Sequence, residues 1–207
     1  MTLVPDPPTA AAEAATVAVP APTPVTVAAP APQADPHLCP ACKQLHPGSD
    51  ATTLKQLAQT PATLGKLVKG LDAAGWKRSY GPGKWTIRQI VAHLRDCELV
   101  YGVRIRLMIS EESATLTPFD QDRWANATSY AKQDAKQAFE TLKLLRATNA
   151  EMLKLAGKAA LARRGHHGDY GAIEVGQYAR HILAHDRNHL AQIERARKGA
   201  AKRSGRR

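Results

Sequence analysis

Aromatic residues make up only 5% of this 207-residue chain, and it holds only three cysteines. Scarce aromatics give little with which to stack bases, so the basic character of the chain does not by itself make a single-strand nucleic-acid groove. Three cysteines cannot build a disulfide framework. No stretch of 18 apolar residues occurs, which leaves no segment able to span a bilayer as a helix. Period-2 alternation flanked by hairpin turns is also missing, and this argues against a sheet-built domain. Lysine and arginine are absent from residues 1–36, and prolines break every apolar run there. The segment therefore has neither the basic start nor the apolar core of a secretory signal, and the expected location is the cytoplasm.

What is present divides the chain into three parts. Residues 1–50 form an Ala/Pro-rich leader, expected to be extended and disordered because proline interrupts both helix and strand. Residues 51–198 carry helical periodicity, and residues 199–207 are a basic tail. The net charge of +11 is concentrated at that end: seven of the 29 basic residues lie among the last thirteen positions, which hold no acid, and the remainder carries +4. Such a tail supplies salt-sensitive, sequence-independent affinity for phosphates, a weak nucleic-acid contact at most.

The central part reads as an all-α bundle. A short helix through Leu54 and Leu57 is followed by Thr60-Pro61, an N-cap and first-turn proline, and by Leu64, Leu67, Val68 and Leu71 at helical spacing to about Gly75. Thr86 and Gln89 form a capping box, with Trp85 and Ile90 as a hydrophobic staple. The second bundle helix then runs to about Glu112 on Ile87, Ile90, Val91, Leu94, Tyr101, Ile105 and Met108, with His93 and Cys97 beside that face. Residues 113–133 read as a long crossover containing at most a short helix. Asp134 and Gln137 open a third helix, carried by Phe139, Leu142, Leu145, Met152 and Leu155 to about Ala156. Residues 163–171 read as a glycine-punctuated loop, and the fourth helix covers about Ile173 to Lys198.

That last helix carries His181, His185 and His189 at intervals of four, hence on one face and about 5–6 Å apart at Cβ. The face looks inward, and two of the three could chelate one divalent ion. Interior imidazoles satisfied by one another, by Gln192 and by water fit the spacing equally. A second cluster precedes the bundle: Cys39-Pro40-Ala41-Cys42, flanked by His37 and His46, offers the ligands of a small zinc knuckle or an exposed dithiol in a linker.

Trp85-Thr86-Ile87-Arg88-Gln89 leading to His93-Leu94-Arg95-Asp96-Cys97-Glu98, then Arg104, Phe119-Asp120 and Trp124, and finally His185 to Ile193, resemble the DinB-like (YfiT-like) family over roughly residues 54–197. The resemblance implies a four-helix bundle with a long crossover between its second and third helices, and a divalent metal, zinc or nickel first among the candidates, on a histidine triad. Carried over by motif, the ligands are His93, His185 and His189. It further implies an open coordination position of catalytic type, and a metal-dependent transferase activating a small thiol, or a hydrolase activating water, toward an electrophilic substrate. Family branches include thiol-dependent S-transferases and a mycothiol-dependent isomerase, and relatives suggest a homodimer. Arg104, Arg163, Arg164 and His167 are candidates for holding carboxylates of such a thiol. Asp96, Asp186 and Gln192 are candidates for orienting the ligands, with ordinary ion pairs to Arg88, Arg95 or Arg187 as the other reading of the two aspartates. Cys97 could reach the metal or be a small buried residue. The contrasting function is a non-catalytic, stress-associated metal-binding protein whose tail contacts nucleic acid.

Overall fold

Thr86 shows how closely local chemistry sets this fold. Its hydroxyl accepts from the backbone N–H of Gln89 while the Gln89 side chain returns to the Thr86 backbone N–H at 2.9 Å, the reciprocal capping box the sequence predicts. The computed structural model describes residues 38–39, 43–46 and 48–204, with the backbone alone for 200–204. Among these, the elements in order are α1 (Asp50–Val68), α2 (Ala73–Trp76), α3 (Ile87–Ser110), β1 (Ala114–Leu116), α4 (Gln121–Ala127), α5 (Ala135–Ala160), β2 (Arg164–His167), β3 (Gly171–Glu174) and α6 (Val175–Ser204). Helices α1, α3, α5 and α6 form the bundle, and β1 with α4 occupies the crossover between α3 and α5. None of the described helices is long and apolar enough to cross a membrane.

The first helix departs from the sequence expectation. Thr60-Pro61 does not start a helix; α1 continues through Pro61. Proline removes one N–H and disrupts the hydrogen bond to the carbonyl four residues back, here that of Leu57. Arg146 of α5 supplies the replacement, its Nη1 donating to the Leu57 carbonyl at 2.9 Å. The interruption is repaired by a neighbouring helix, which no reading of local propensity detects.

Elsewhere the periodicity holds. Asp134 caps α5 by accepting from the N–H groups of Lys136 and Gln137. The regular part of α5 stops at Gly157, whose φ of 76° is in the left-handed region, and one further turn follows the kink. Helix α6 runs to Ser204, beyond the expected end at Lys198, through residues dominated by the strong helix formers Ala, Lys and Arg. A small sheet stands where no alternating pattern predicts one: β1 pairs parallel with β2, Ala114 opposite Gly165, and β2 pairs antiparallel with β3. It packs on α3 and α6. A Cβ at Gly165 would lie 2.8 Å from the Met108 side chain, so the close approach of β2 to α3 requires glycine there.

The core is split. One apolar cluster includes Leu57, Tyr101, Ile105, Leu153, Tyr178 and Ile182. The other includes Leu64, Ile90, Leu94, Leu142, Ile193 and Ala196. Where the two clusters meet, every bundle helix places polar side chains in the interior: Thr60 on α1, His93, Asp96 and Glu98 on α3, Arg146 and Asn149 on α5, and His185, Asp186 and His189 on α6. A polar layer thus crosses the bundle between two greasy halves.

Candidate metal centre

One part of the layer is an ion-pair network. Arg146 meets Glu98 at 2.6 Å and Asp186 at 2.8 Å, with all three side chains almost fully buried. Asn149 donates to Glu98 Oε1 at 2.8 Å, and the Thr60 hydroxyl donates to Asp186. Burial works against the charge on Arg146, yet the two carboxylates outweigh it and hold the guanidinium above its ordinary value. Burial pushes the Asp186 carboxyl up, and Arg146 opposes that shift. The network ties all four bundle helices together, because its members come from α1, α3, α5 and α6.

The other part is the histidine cluster. His93 Nε2 lies 3.1 Å from His185 Nε2, which lies 3.1 Å from His189 Nε2. The three imidazoles offer ligand atoms that all fall within 4.8 Å of one another, a set that could hold a metal ion. Tetrahedral zinc with bonds of about 2.0–2.1 Å places its imidazole nitrogens roughly 3.3 Å apart, close to the spacing found here. Resemblance had paired His185 with His189 and set His93 against them, and the rings of all three face one another. His181, the third histidine of the α6 triplet, is not in this set.

The surroundings favour neutral, correctly oriented imidazoles. His93 has no exposed surface, and burial, with His189 nearby, lowers its pKa to about 3. Burial lowers His189 to about 4, and burial together with the other two histidines puts His185 well below its ordinary value. His189 Nδ1 lies 2.9 Å from Gln192 Oε1. An amide oxygen only accepts, so Nδ1 carries the proton and Nε2 keeps its lone pair for the cluster. His185 Nδ1 is buried without a hydrogen-bond partner among the described residues, and its ring is held by packing, edge-on to Tyr101 at 6.0 Å. Trp85, the staple residue, has its ring centroid 4.8 Å from that of His93. Three neutral nitrogen donors without a carboxylate or thiolate suit zinc, nickel or another borderline divalent ion.

Among the described residues no fourth ligand joins the set. Cys97 Sγ is 3.3 Å from His93 Nε2, but it is not among the donors that all lie close to one another, and it packs in the apolar cluster with Tyr101 and Ile105. Asp96 faces another way: it accepts from Tyr130 Oη at 2.6 Å and from Arg95 Nε at 2.8 Å. Asp186 is committed to Arg146. Of the three candidate orienting residues, Gln192 alone hydrogen-bonds a ligand.

A pocket of about 230 Å³ opens beside the cluster, lined by His93, His185, Cys97, Tyr101, Arg104 and His167 among others. Arg104 donates to Tyr178 Oη at 2.9 Å and to the Thr117 carbonyl. Arg163 and Arg164 serve the fold instead: Arg163 donates to the carbonyls of Met108 and Glu111, and Arg164 pairs with Glu174 at 2.7 Å. Larger apolar hollows elsewhere, such as one of about 590 Å³ between α1 and α5, do not touch the histidines. Sequence reasoning passed over Glu98, Arg146, Asn149 and Tyr130. A charged residue at a core-facing position, as Arg146 is between Leu142 and Leu153, was the available signal.

Comparison with known proteins bears on this geometry. A protein of Oceanobacillus iheyensis, named provisionally as a metal-dependent hydrolase, is 31% identical over 145 residues, covering 68% of this chain and 81% of that one. A Bacillus cereus protein of the same provisional name is 28% identical over 151 residues, covering 71% and 84%. Among solved structures, YfiT from Bacillus subtilis, described as having an unusual four-helix bundle topology, superposes with a TM-score of 0.70 at 23% identity, over 79% of this chain and 97% of that one. The mycothiol-dependent maleylpyruvate isomerase gives 0.60 at 10% identity, over 70% and 61%. These superpositions establish the bundle, and the family model for the DinB superfamily matches residues 56–193, so the chain belongs to the DinB superfamily.

Proposed function

We propose that this protein is a metal-dependent enzyme in which His93, His185 and His189 hold a divalent ion and the adjoining pocket brings a small thiol, or water, onto a small electrophile. One observation carries the reading: three neutral imidazole donors converge, two of them, His93 and His185, at the wall of a pocket, with no further protein ligand in the set among the described residues. A structural zinc would normally be closed by a fourth side chain. When bound, the ion supplies Lewis acidity and lowers the pKa of a coordinated thiol or water.

The chain's own residues do the rest. Burial keeps the three imidazoles unprotonated at neutral pH, and Gln192 fixes the tautomer of His189. In the metal-free protein burial raises Tyr101 and Cys97 well above their ordinary values, so both stand protonated in the pocket. Arg104 supplies a buried, permanently charged guanidinium for a carboxylate of the substrate or thiol. The relatives' provisional hydrolase names favour water, and the structural likeness to a mycothiol-dependent isomerase favours a thiol.

The test is turnover by zinc-loaded and nickel-loaded protein against a panel of low-molecular-weight thiols with electrophiles, and against ester and amide substrates in water. Activity should disappear on chelation and in His189→Ala. Arg104→Gln should raise KM about tenfold for carboxylate-bearing substrates, the order expected for a lost charge-assisted hydrogen bond, while metal content stays unchanged. Turnover surviving in both chelated protein and His189→Ala would refute the reading.

A further inference from the structure

His181 belongs to a second group of ligand-type side chains. Its Nδ1 lies 3.4 Å from Cys39 Sγ, and Cys39, His46 and His181 together offer ligand atoms within 4.8 Å of one another. None of these three contributes to the cluster of His93, His185 and His189. The sequence singled out Cys39 and His46 as knuckle ligands together with His37 and Cys42, which lie outside the described residues. Among the described residues, Cys39 and His46 are joined by His181 of α6, 142 positions along the chain from Cys39.

The segment before α1 is folded so as to present these groups. Leu38 and Leu45 form an antiparallel bridge, and Cys39 N donates to the Gln44 carbonyl at 2.9 Å. Lys43 N returns to the Cys39 carbonyl at 2.9 Å, with Lys43 at a φ of 57° closing the turn. Cys39 is thereby held inward, at 2% exposure, with His46 one residue beyond the bridge partner Leu45. Of the two arginines near His46, Arg180 pairs with Asp50 and Arg187 donates to the neutral Gln56 amide at 2.8 Å.

We propose that Cys39, His46 and His181 form a second divalent-metal site, a zinc-type site of one thiolate and two imidazoles, separate from the three-histidine centre. The donor chemistry fits: one soft and two borderline ligands select zinc over the harder cations. The spacing fits as well, since tetrahedral zinc sets a sulfur and a nitrogen about 3.5 Å apart. On binding, the Cys39 thiol gives its proton to solvent and the sulfur keeps the electron pair it shares with the ion. Two neutral imidazoles add no charge, and water fills the position left in a four-coordinate shell. The consequence is structural and local. His181 also lines the pocket beside the three-histidine cluster, so the ion would fasten residues 38–46 to the rim of that pocket.

The test uses the full chain, reduced, stripped of metal and reloaded with zinc or with cobalt as a spectroscopic substitute. Cys39→Ser, His46→Ala and His181→Ala should each bind one equivalent fewer than the parent protein. The cobalt form should show a thiolate charge-transfer absorption that Cys39→Ser abolishes and that Cys97→Ser and His189→Ala retain. Far-UV circular dichroism of His46→Ala, which alters only the segment ahead of the bundle, checks that the lost equivalent is not lost folding. Unchanged stoichiometry in Cys39→Ser and His181→Ala, or a charge-transfer band that persists without Cys39, would overturn the proposal. Failure of the three-histidine reading is distinguishable, because it would show as an equivalent retained in His189→Ala.

Discussion

The two halves of the polar layer are built from the same helices and buried to similar depth, yet they are finished differently. Around Arg146 donors and acceptors are matched: the guanidinium donates to the carboxylates of Glu98 and Asp186 and to the Leu57 carbonyl, and the Asn149 amide donates to Glu98. Around His185 three like groups turn their nitrogens on one another at 3.1 Å, where neutral imidazoles can share at most one proton per contact. Groups that satisfy one another hold a structure together. Groups of one kind converging on a point offer donors that could hold a cation. Buried polarity alone therefore does not mark a site, whereas its stoichiometry does.

The largest expected effect comes from breaking the closed half. Arg146→Ala would strand Glu98 and Asp186 without a partner and leave the Leu57 carbonyl orphaned beside Pro61, a loss of about 3–5 kcal/mol in unfolding free energy. Urea unfolding of the metal-free protein measures it, and a loss under about 1 kcal/mol would show that the network is not the clamp described above. Breaking the open half should act on metal and spare the fold. His93→Ala or His189→Ala should weaken zinc affinity by more than about 100-fold, beyond what loss of an outer hydrogen bond produces, with little change in metal-free stability. Elemental analysis and competition with a chromogenic chelator read this directly, and unchanged metal content in both variants would remove the site.

A smaller effect is expected one shell out. Gln192→Ala frees the His189 ring to take the other tautomer and should weaken metal binding about 10- to 100-fold, while Asp96→Asn, which faces Tyr130 and Arg95, should leave affinity unchanged. Acid acts differently, through a slope. In the metal-free protein His93 and His189 have folded-state pKa values of about 3 and 4 against 6.5 in the unfolded chain. Above 6.5 neither state is protonated and they contribute no pH dependence. Below it the unfolded chain binds protons that the folded one refuses, so stability falls as the pH drops from 6.5 toward 4 and levels off near 3. The slope of urea midpoint against pH across that window should be shallower in His93→Ala. An equal slope in the variant would show that the cluster does not titrate as described.

How much of this was legible in the chain depends on whether the physics was local. Thr86, Gln89 and Asp134 act within a few residues of themselves, and their caps stand where the pattern puts them. Thr60-Pro61 carries an equally strong helix-start signal and misleads, because an arginine 85 positions later repairs the broken turn. The sheet escaped notice because its strands are three or four residues long, too short for an alternation to register. Asp186 was read beside Arg187, its neighbour in sequence, when its partner lies on another helix.

By itself the sequence determined the helices that start at Thr86 and Asp134, with those caps, and the inward face on which His181, His185 and His189 ride, since each follows from spacing along a single segment. Only tertiary structure decided that His93 joins the last two while His181 turns to Cys39 and His46. Which imidazoles share an ion is fixed by helix rotation and crossing, and these are set by the packing of Leu94, Tyr101, Ile182 and Ile193 across the bundle, not by any one helix.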